Sequence, residues 1–179
     1  MAHPAQKQFF TSVKEKYPDA FKGKAIDFGS LNVNGSLKEL FEGEYVGVDI
    51  VSGDNVDIVC KAHEAPFGEN TFDAVVSGEM LEHDEFWGMS LLKMYSVCKK
   101  GGLIAISCAG EGRPEHGTKR TGAQWGTSSD YYRNLEPNDI LYGFTGRRVC
   151  VDCMDKMFSE WKFEENLETH DTYFYGIKG

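Results

Sequence analysis

Two groups of residues in this 179-residue chain have the types and spacing to do chemistry. The first is the run Asp27-Phe28-Gly29-Ser30-Leu31-Asn32-Val33-Asn34-Gly35-Ser36, which follows a short apolar stretch. Glycine there lets the backbone approach a ligand closely. Free N–H groups at the start of a following helix can hold a carboxylate. Twenty residues beyond Gly29 stands Asp49, at the end of a second apolar run. An acid at that distance can accept hydrogen bonds from both hydroxyls of a ribose. The second group is histidine and glutamate. His83 follows the β-branched run Asp73–Ser77, and His116 lies in Gly112-Arg113-Pro114-Glu115-His116, just after Leu103–Ser107. Imidazole exchanges a proton readily near neutral pH. Glu79 and Glu82 stand beside His83 as further candidate bases. Trp125, Tyr131 and Tyr132 are candidates to wall a substrate pocket.

The elements that must position these groups alternate strand and helix, the pattern of a mostly parallel sheet covered by helices. Pro4 can open a helix on which Phe9, Phe10, Val13 and Tyr17 share a face. Lys24–Phe28, Tyr45–Ile50, Val56–Cys60, Asp73–Ser77 and Leu103–Ser107 read as five strands. Ser36-Leu37-Lys38-Glu39 is a capping-box pattern that opens a short helix. Phe86–Lys99 reads as a helix with Trp87, Leu91, Met94, Tyr95 and Cys98 on one face, closed by Gly101. The last third offers one helix within Arg147–Trp161, then an antiparallel pair, Glu160–Glu165 and Thr172–Lys178. The expected architecture is an α/β fold. It is a doubly wound, Rossmann-like, mostly parallel seven-stranded sheet with a C-terminal antiparallel pair and helices on both faces. One domain covers 1–179, with an N-terminal helical segment at 1–24 and a probable substrate loop at 109–134.

Four segments in order resemble the class I S-adenosylmethionine-dependent methyltransferases, in the broad group called methyltransferase type 11. They are Ala25-Ile26-Asp27-Phe28-Gly29-Ser30; then Val46-Gly47-Val48-Asp49; then Ala62–Phe67 with Phe72–His83; then Leu92–Cys98 with Lys99-Lys100-Gly101-Gly102-Leu103. Together they span Ala25 to Ser107. The resemblance implies S-adenosylmethionine as cofactor and S-adenosylhomocysteine as product. It implies that Asp27 and the glycine loop meet the cofactor, with Gly29, Ser30 and Leu31 along its methionine part. Asp49 would bind the ribose and Ile50 would pack on the adenine. Lys61, Ala62 and His63 would sit by the adenine edge. Ser77, Gly78 and Glu79 would lie near the sulfonium, and His83 near the cofactor mouth. Two departures stand out. Leu31 and Val33 occupy the later glycine positions of the family loop, with Gly35 two residues late. Lys61 replaces the usual aspartate and cannot accept a hydrogen bond, so backbone groups must recognise the adenine amine.

Methyl transfer is an in-line displacement, and much of its catalysis can come from holding nucleophile and methyl in line. A base is needed only where the acceptor carries a proton. His83, His116 and Glu79 are the candidates. The acceptor is expected to be a small or medium-sized molecule. The alternative is a non-catalytic binding or assembly domain that keeps the fold. A dehydrogenase is disfavoured because Gly29–Asn34 lacks G-x-G-x-x-G. The net charge of −9 disfavours nucleic acid as a partner, since phosphate contacts call for clustered cations. The basic clusters are Lys119-Arg120 and Arg147-Arg148. No apolar run reaches the roughly 20 residues of a membrane span, and the N-terminus lacks the apolar core of a signal peptide. A cytoplasmic protein with reduced thiols is expected, with five cysteines and Cys150-x-x-Cys153 on one face of a helix. No metal site is expected.

Overall fold

The computed structural model describes residues 4–122, 130–147 and 150–179. Helix α1 is Pro4–Lys16, and the strands are β1 (Ala25–Phe28), β2 (Tyr45–Asp49), β3 (Ile58–Val59) and β4 (Phe72–Gly78). Helix α2 (Trp87–Val97) runs directly into β5 (Cys98–Ala109). Helices α3 (Pro137–Thr145) and α4 (Val151–Met157) precede β6 (Phe158–Asn166) and β7 (Asp171–Lys178). The seven strands form one sheet in the order β3-β2-β1-β4-β5-β7-β6. The first five are mutually parallel, and β7 is antiparallel to both β5 and β6.

Each central strand is buried on both faces, so successive side chains feed two cores. Val75 and Ile104 join the core under α2 and α3. Their neighbours Val76 and Ala105 join the core under α1, with Phe9, Phe10 and Val13. The edge strand β6 has one exposed face, on which Glu160 and Glu164 point to solvent.

Several expectations need correction. Helix α2 ends at Val97 rather than Lys99, because Cys98 pairs with Phe72 and Lys99 Nζ donates to Asp73 Oδ1 at 2.7 Å. Gly101, with φ +73, is therefore a turn within the entry to β5 rather than a helix cap. Strand β3 shrinks to two residues. The last third holds two helices among the described residues. Helix α3 has Pro137 in its first turn, a capping pair of Glu136 and Asp139, and Gly146 at its end with φ +67. Helix α4 stops at Met157 because Phe158 enters the sheet opposite Lys178, with its ring against Phe144 and Phe174. Cys150 precedes α4, and its sulfur is bonded to Cys153 in a disulfide, against the expected reduced thiols. Cys60, Cys98 and Cys108 are free thiols. No helix of the described residues is long and apolar enough to cross a membrane.

Candidate active site

In an open parallel sheet, ligands bind beyond the carboxyl ends of the strands where strand order reverses. Here β1 lies between β2 and β4, and the chain leaves it through the glycine loop. Gly29 and Ser30 N–H both donate to Val48 O, at 2.8 and 3.2 Å, which carries the β1–β2 ladder one step past the strand. Gly29 has φ +87, and a Cβ there would stand 2.4 Å from Met80 Cβ. Glycine is required by backbone conformation and by the close approach of the segment after β4.

Asp49 closes this loop from the end of β2. Its Oδ2 accepts Leu31 N–H at 3.2 Å and its Oδ1 accepts Val51 N–H at 3.0 Å. Each carboxylate oxygen has a second lone pair for a ligand. Burial pushes the Asp49 carboxyl up from its ordinary range, partly offset by these backbone donors. The missing later glycines are compensated by Asn32. Its side-chain oxygen accepts Gly35 N–H at 2.9 Å, and its amide donates to Asp54 Oδ2 at 2.9 Å. This side-chain bond across three residues shapes the loop. The signal was the N-x-x-G spacing of Asn32 and Gly35.

Two adjoining cavities of about 530 and 550 Å³ open on this edge of the sheet. Each falls in the range of small-molecule sites, roughly 300–1,000 Å³. Asp27, Ser30, Leu31, Gly78, Glu79 and His116 line the first, and Lys61 and Ala62 line the second. Gly29, Asp49, Ile50 and His83 line both, which joins them into one groove. Two expected cofactor residues line neither. Ser77 is fully buried and its hydroxyl donates to Phe28 O at 2.8 Å, pinning β4 to β1. His63 packs its ring on Phe86 at 4.7 Å. Lys61 holds its ammonium 4.5 Å from the centre of the same Phe86 ring.

The groove is rich in buried acceptors. Asp27 takes a 2.6 Å hydrogen bond from Tyr45 OH on Oδ2, while its Oδ1 has no partner. Burial pushes the Asp27 carboxyl up to about 7. Glu79 sits in the left-handed region with φ +56. Its Oε1 accepts from Ser107 Oγ at 3.2 Å, and Ser107 Oγ accepts from Gln6 Nε2 at 2.9 Å. Its Oε2 is buried without a hydrogen bond, 3.9 Å from the Arg113 guanidinium. Gln6, brought in by α1, was invisible to motif reading.

At the other end, His83, His116 and Tyr132 pack edge to face, with ring centres 5.2–5.4 Å apart. Tyr132 OH lies 3.2 Å from His116 Nδ1. Burial, then the nearby His116, holds the His83 imidazole down to about 4. Burial also lowers His116. Both rings are therefore neutral near neutral pH, each with a lone pair on one nitrogen. Glu82 is fully buried beneath them. Its carboxyl is pushed well up, first by burial and then by the charge of Glu79. Tyr131 packs against the core. Trp125 and Arg148 lie outside the described residues, as do 123–129 of the expected substrate loop.

A family model described as a methyltransferase domain matches residues 27–106. No curated protein matches the chain significantly. Among solved structures, the chain is similar to phosphoethanolamine N-methyltransferase 2 of Haemonchus contortus, bound to phosphomonomethylethanolamine and S-adenosylhomocysteine. The TM-score is 0.65 at 15% identity, covering 96% of this chain and 52% of that one. This chain thus spans about half the length of that enzyme. It is also similar to an S-adenosylmethionine-dependent methyltransferase of Archaeoglobus fulgidus, with TM-score 0.62 at 15% identity over 96% and 94% of the two chains. A third is the Burkholderia thailandensis 1,6-didemethyltoxoflavin N1-methyltransferase, with TM-score 0.55 at 13% identity over 99% and 91%. At such identities the structures show a shared fold. Residues 27–106 thus match a methyltransferase domain, and the chain shares its fold with S-adenosylmethionine-dependent methyltransferases.

Proposed function

We propose that this protein moves a methyl group from S-adenosylmethionine to a small or medium-sized acceptor. The observation that carries the reading is Asp49, tied to the glycine loop through Leu31 N–H, at one end of a groove whose other end holds two neutral histidines. The donor set fits the cofactor. Ribose hydroxyls, an ammonium and a sulfonium need acceptors and negative charge. Asp27 Oδ1, Asp49 and Glu79 Oε2 offer them out of water. S-adenosylmethionine, when bound, supplies an electrophilic methyl on a positively charged sulfur.

The chain's own residues do the rest. Asp49 accepts the ribose hydroxyls, and the backbone of Gly29 to Leu31 cradles the methionine portion. Ile50, Lys61 and Ala62 flank the adenine from the second cavity. Glu79 stabilises the positive centre, held by Ser107 and indirectly by Gln6. His83 or His116 takes the acceptor's proton as the methyl arrives, since burial keeps both rings neutral. The Haemonchus and Burkholderia proteins act on small molecules by name, which supports the acceptor class. The charge of −9 argues in the same direction, away from nucleic acid. The segment 109–134 supplies His116 and Tyr132 and is the part of the chain from which acceptor choice would come.

Thermal melting with and without S-adenosylhomocysteine tests this. At about 100 times its dissociation constant the ligand adds about 2.7 kcal/mol. A chain of this size then melts roughly 5–10 °C higher. We expect that shift in the wild type and its collapse in Asp49→Ala. No shift in the wild type would move the non-catalytic binding-domain reading to first place.

A further inference from the structure

We propose that Glu82, His83 and His116 form a binding site for one divalent transition-metal ion of the zinc class, at the acceptor end of the groove. One ligand atom from each residue lies within 4.8 Å of the other two. Sequence spacing gives no hint of this. Glu82 and His83 sit in the short 3-10 turn Leu81–His83 after β4, while His116 arrives from the segment after β5.

Glu82 at the centre of the cluster calls for either a proton or a cation. Glu82 is fully buried, and neither carboxylate oxygen has a hydrogen-bond partner. A buried, unpartnered carboxylate is strongly unfavourable unless something positive or a proton meets it. His116 Nδ1 lies 3.1 Å from Pro114 O. A carbonyl only accepts, so the tautomer with the proton on Nδ1 satisfies Pro114 O and leaves a lone pair on Nε2. That Nε2 is itself unpartnered and stands 3.9 Å from Glu82 Oε1. His83 Nδ1 is likewise buried and unpartnered. Each of the three side chains thus has a buried polar atom without a hydrogen bond, and ligand atoms of all three lie within 4.8 Å of one another.

The chemistry of the set selects the ion. Two imidazoles and one carboxylate are a catalytic zinc ligand set, and they leave a fourth position open. Imidazole also suits iron, nickel and copper, whereas magnesium and calcium prefer oxygen. Two ligands at roughly 2.0–2.2 Å from one ion stand at most about 4.4 Å apart. Tetrahedral geometry brings such ligands to about 3.4 Å from one another. The Glu82–His116 separation of 3.9 Å is about half an ångström wider, and the widest pair must close by up to about 1.4 Å, so binding draws the side chains inward. The outer partners suit the role. Pro114 O fixes the His116 tautomer, as ligating histidines usually require. Arg133 N–H donates to Glu82 O at 2.9 Å and His83 N–H donates to Met80 O at 2.9 Å, which pins the backbone of two ligands.

Metal binding stands on this geometry alone. Its use rests on the methyl-transfer reading: the open position would take an oxygen or nitrogen lone pair of the acceptor, orient it toward the methyl group and ease loss of its proton, a role the ion would take over from the two ligating imidazoles. The test is titration of chelator-treated full-length protein with Zn²⁺ by calorimetry, and with Co²⁺ followed by visible absorption. We expect one ion per wild-type chain and a Co²⁺ spectrum of low coordination number. Glu82→Gln and His116→Ala should each weaken binding at least about tenfold, since even an outer partner is worth that much. His116 is partly exposed, so His116→Ala carries the test should the buried Glu82→Gln fail to fold. The exposed His170→Ala should bind as the wild type does. No binding by the wild type, or binding that survives in the His83→Ala/His116→Ala double variant, overturns the site. The S-adenosylhomocysteine melting shift is read on the same samples. A shift without metal binding sinks the metal site alone, and metal binding without a shift sinks the methyl-transfer reading alone.

Discussion

Asp27 sits at the end of β1 with its carboxyl out of water, and this makes stability depend on pH. Its folded pKa of about 7, raised by burial, stands against an ordinary value near 3.8. Between those values the folded chain holds a proton that the unfolded chain has released. Stability from this group is therefore present at low pH and lost as pH rises through the window. His83 works in the opposite sense, with about 4 folded against an ordinary 6.5, so its contribution is lost as pH falls. Below pH 6.5 the two oppose each other and the wild-type profile hides both. Asp27→Asn separates them. Relative to wild type it should gain stability from pH 5 to 7, by up to about 1.4 kcal/mol per unit. Denaturant midpoints at pH 5, 6 and 7 check this, and parallel profiles for the two proteins would refute it. The charged residues of the site were legible by type and spacing, but their protonation was not. It is set by burial among distant segments.

Strand β2 shows how an element positions the site. Gly47 N–H donates to Asp57 Oδ2 at 2.7 Å, and Gly47 O accepts Asp57 N–H at 2.9 Å. A Cβ at Gly47 would stand 1.8 Å from Asn55 O, a backbone atom that cannot swing away. Gly47→Ala should cost at least the roughly 1–3 kcal/mol of an overpacked core. It should also shrink the S-adenosylhomocysteine melting shift, because Asp49 lies two residues along the same strand. Calorimetric melts of the variant with and without ligand measure both effects. Strand interiors were legible because apolar runs are local. Helix and strand ends were not, since Cys98 and Phe158 take their conformation from pairing with Phe72 and Lys178. Helix α3 carried readable signals in Pro137, Asp139 and Gly146, but its short apolar face gave no clear period.

At the scale of the molecule, the sheet is closed on the far side of the groove by an aromatic cluster. Phe144, Phe158 and Phe163 surround Phe174, with ring centres 5.0–5.4 Å from it. None of these rings lines either cavity. Phe174→Ala should cost about 3–5 kcal/mol, as large-to-small changes at buried phenylalanine do. At roughly 2–4 °C per kcal/mol the melting temperature should fall by about 6–20 °C. The ligand-induced shift should persist at temperatures where the variant is folded. Loss of that shift would mean that the hairpin of β6 and β7 is coupled to the groove.

The sequence by itself determined the alternation of elements, the parallel sheet with its antiparallel end, and the pairing of a glycine loop with Asp49. These follow from local periodicity and from short separations along the chain. Tertiary structure alone decided what the groove can do. It placed Gln6 of α1 behind Ser107 and Glu79, and closed the glycine loop with Asn32. It joined Cys150 to Cys153, and it gathered Glu82 and His83 with His116. The physical reason is adjacency. Because β4 and β5 are parallel neighbours, the segments leaving their carboxyl ends meet in space however far apart they stand in sequence.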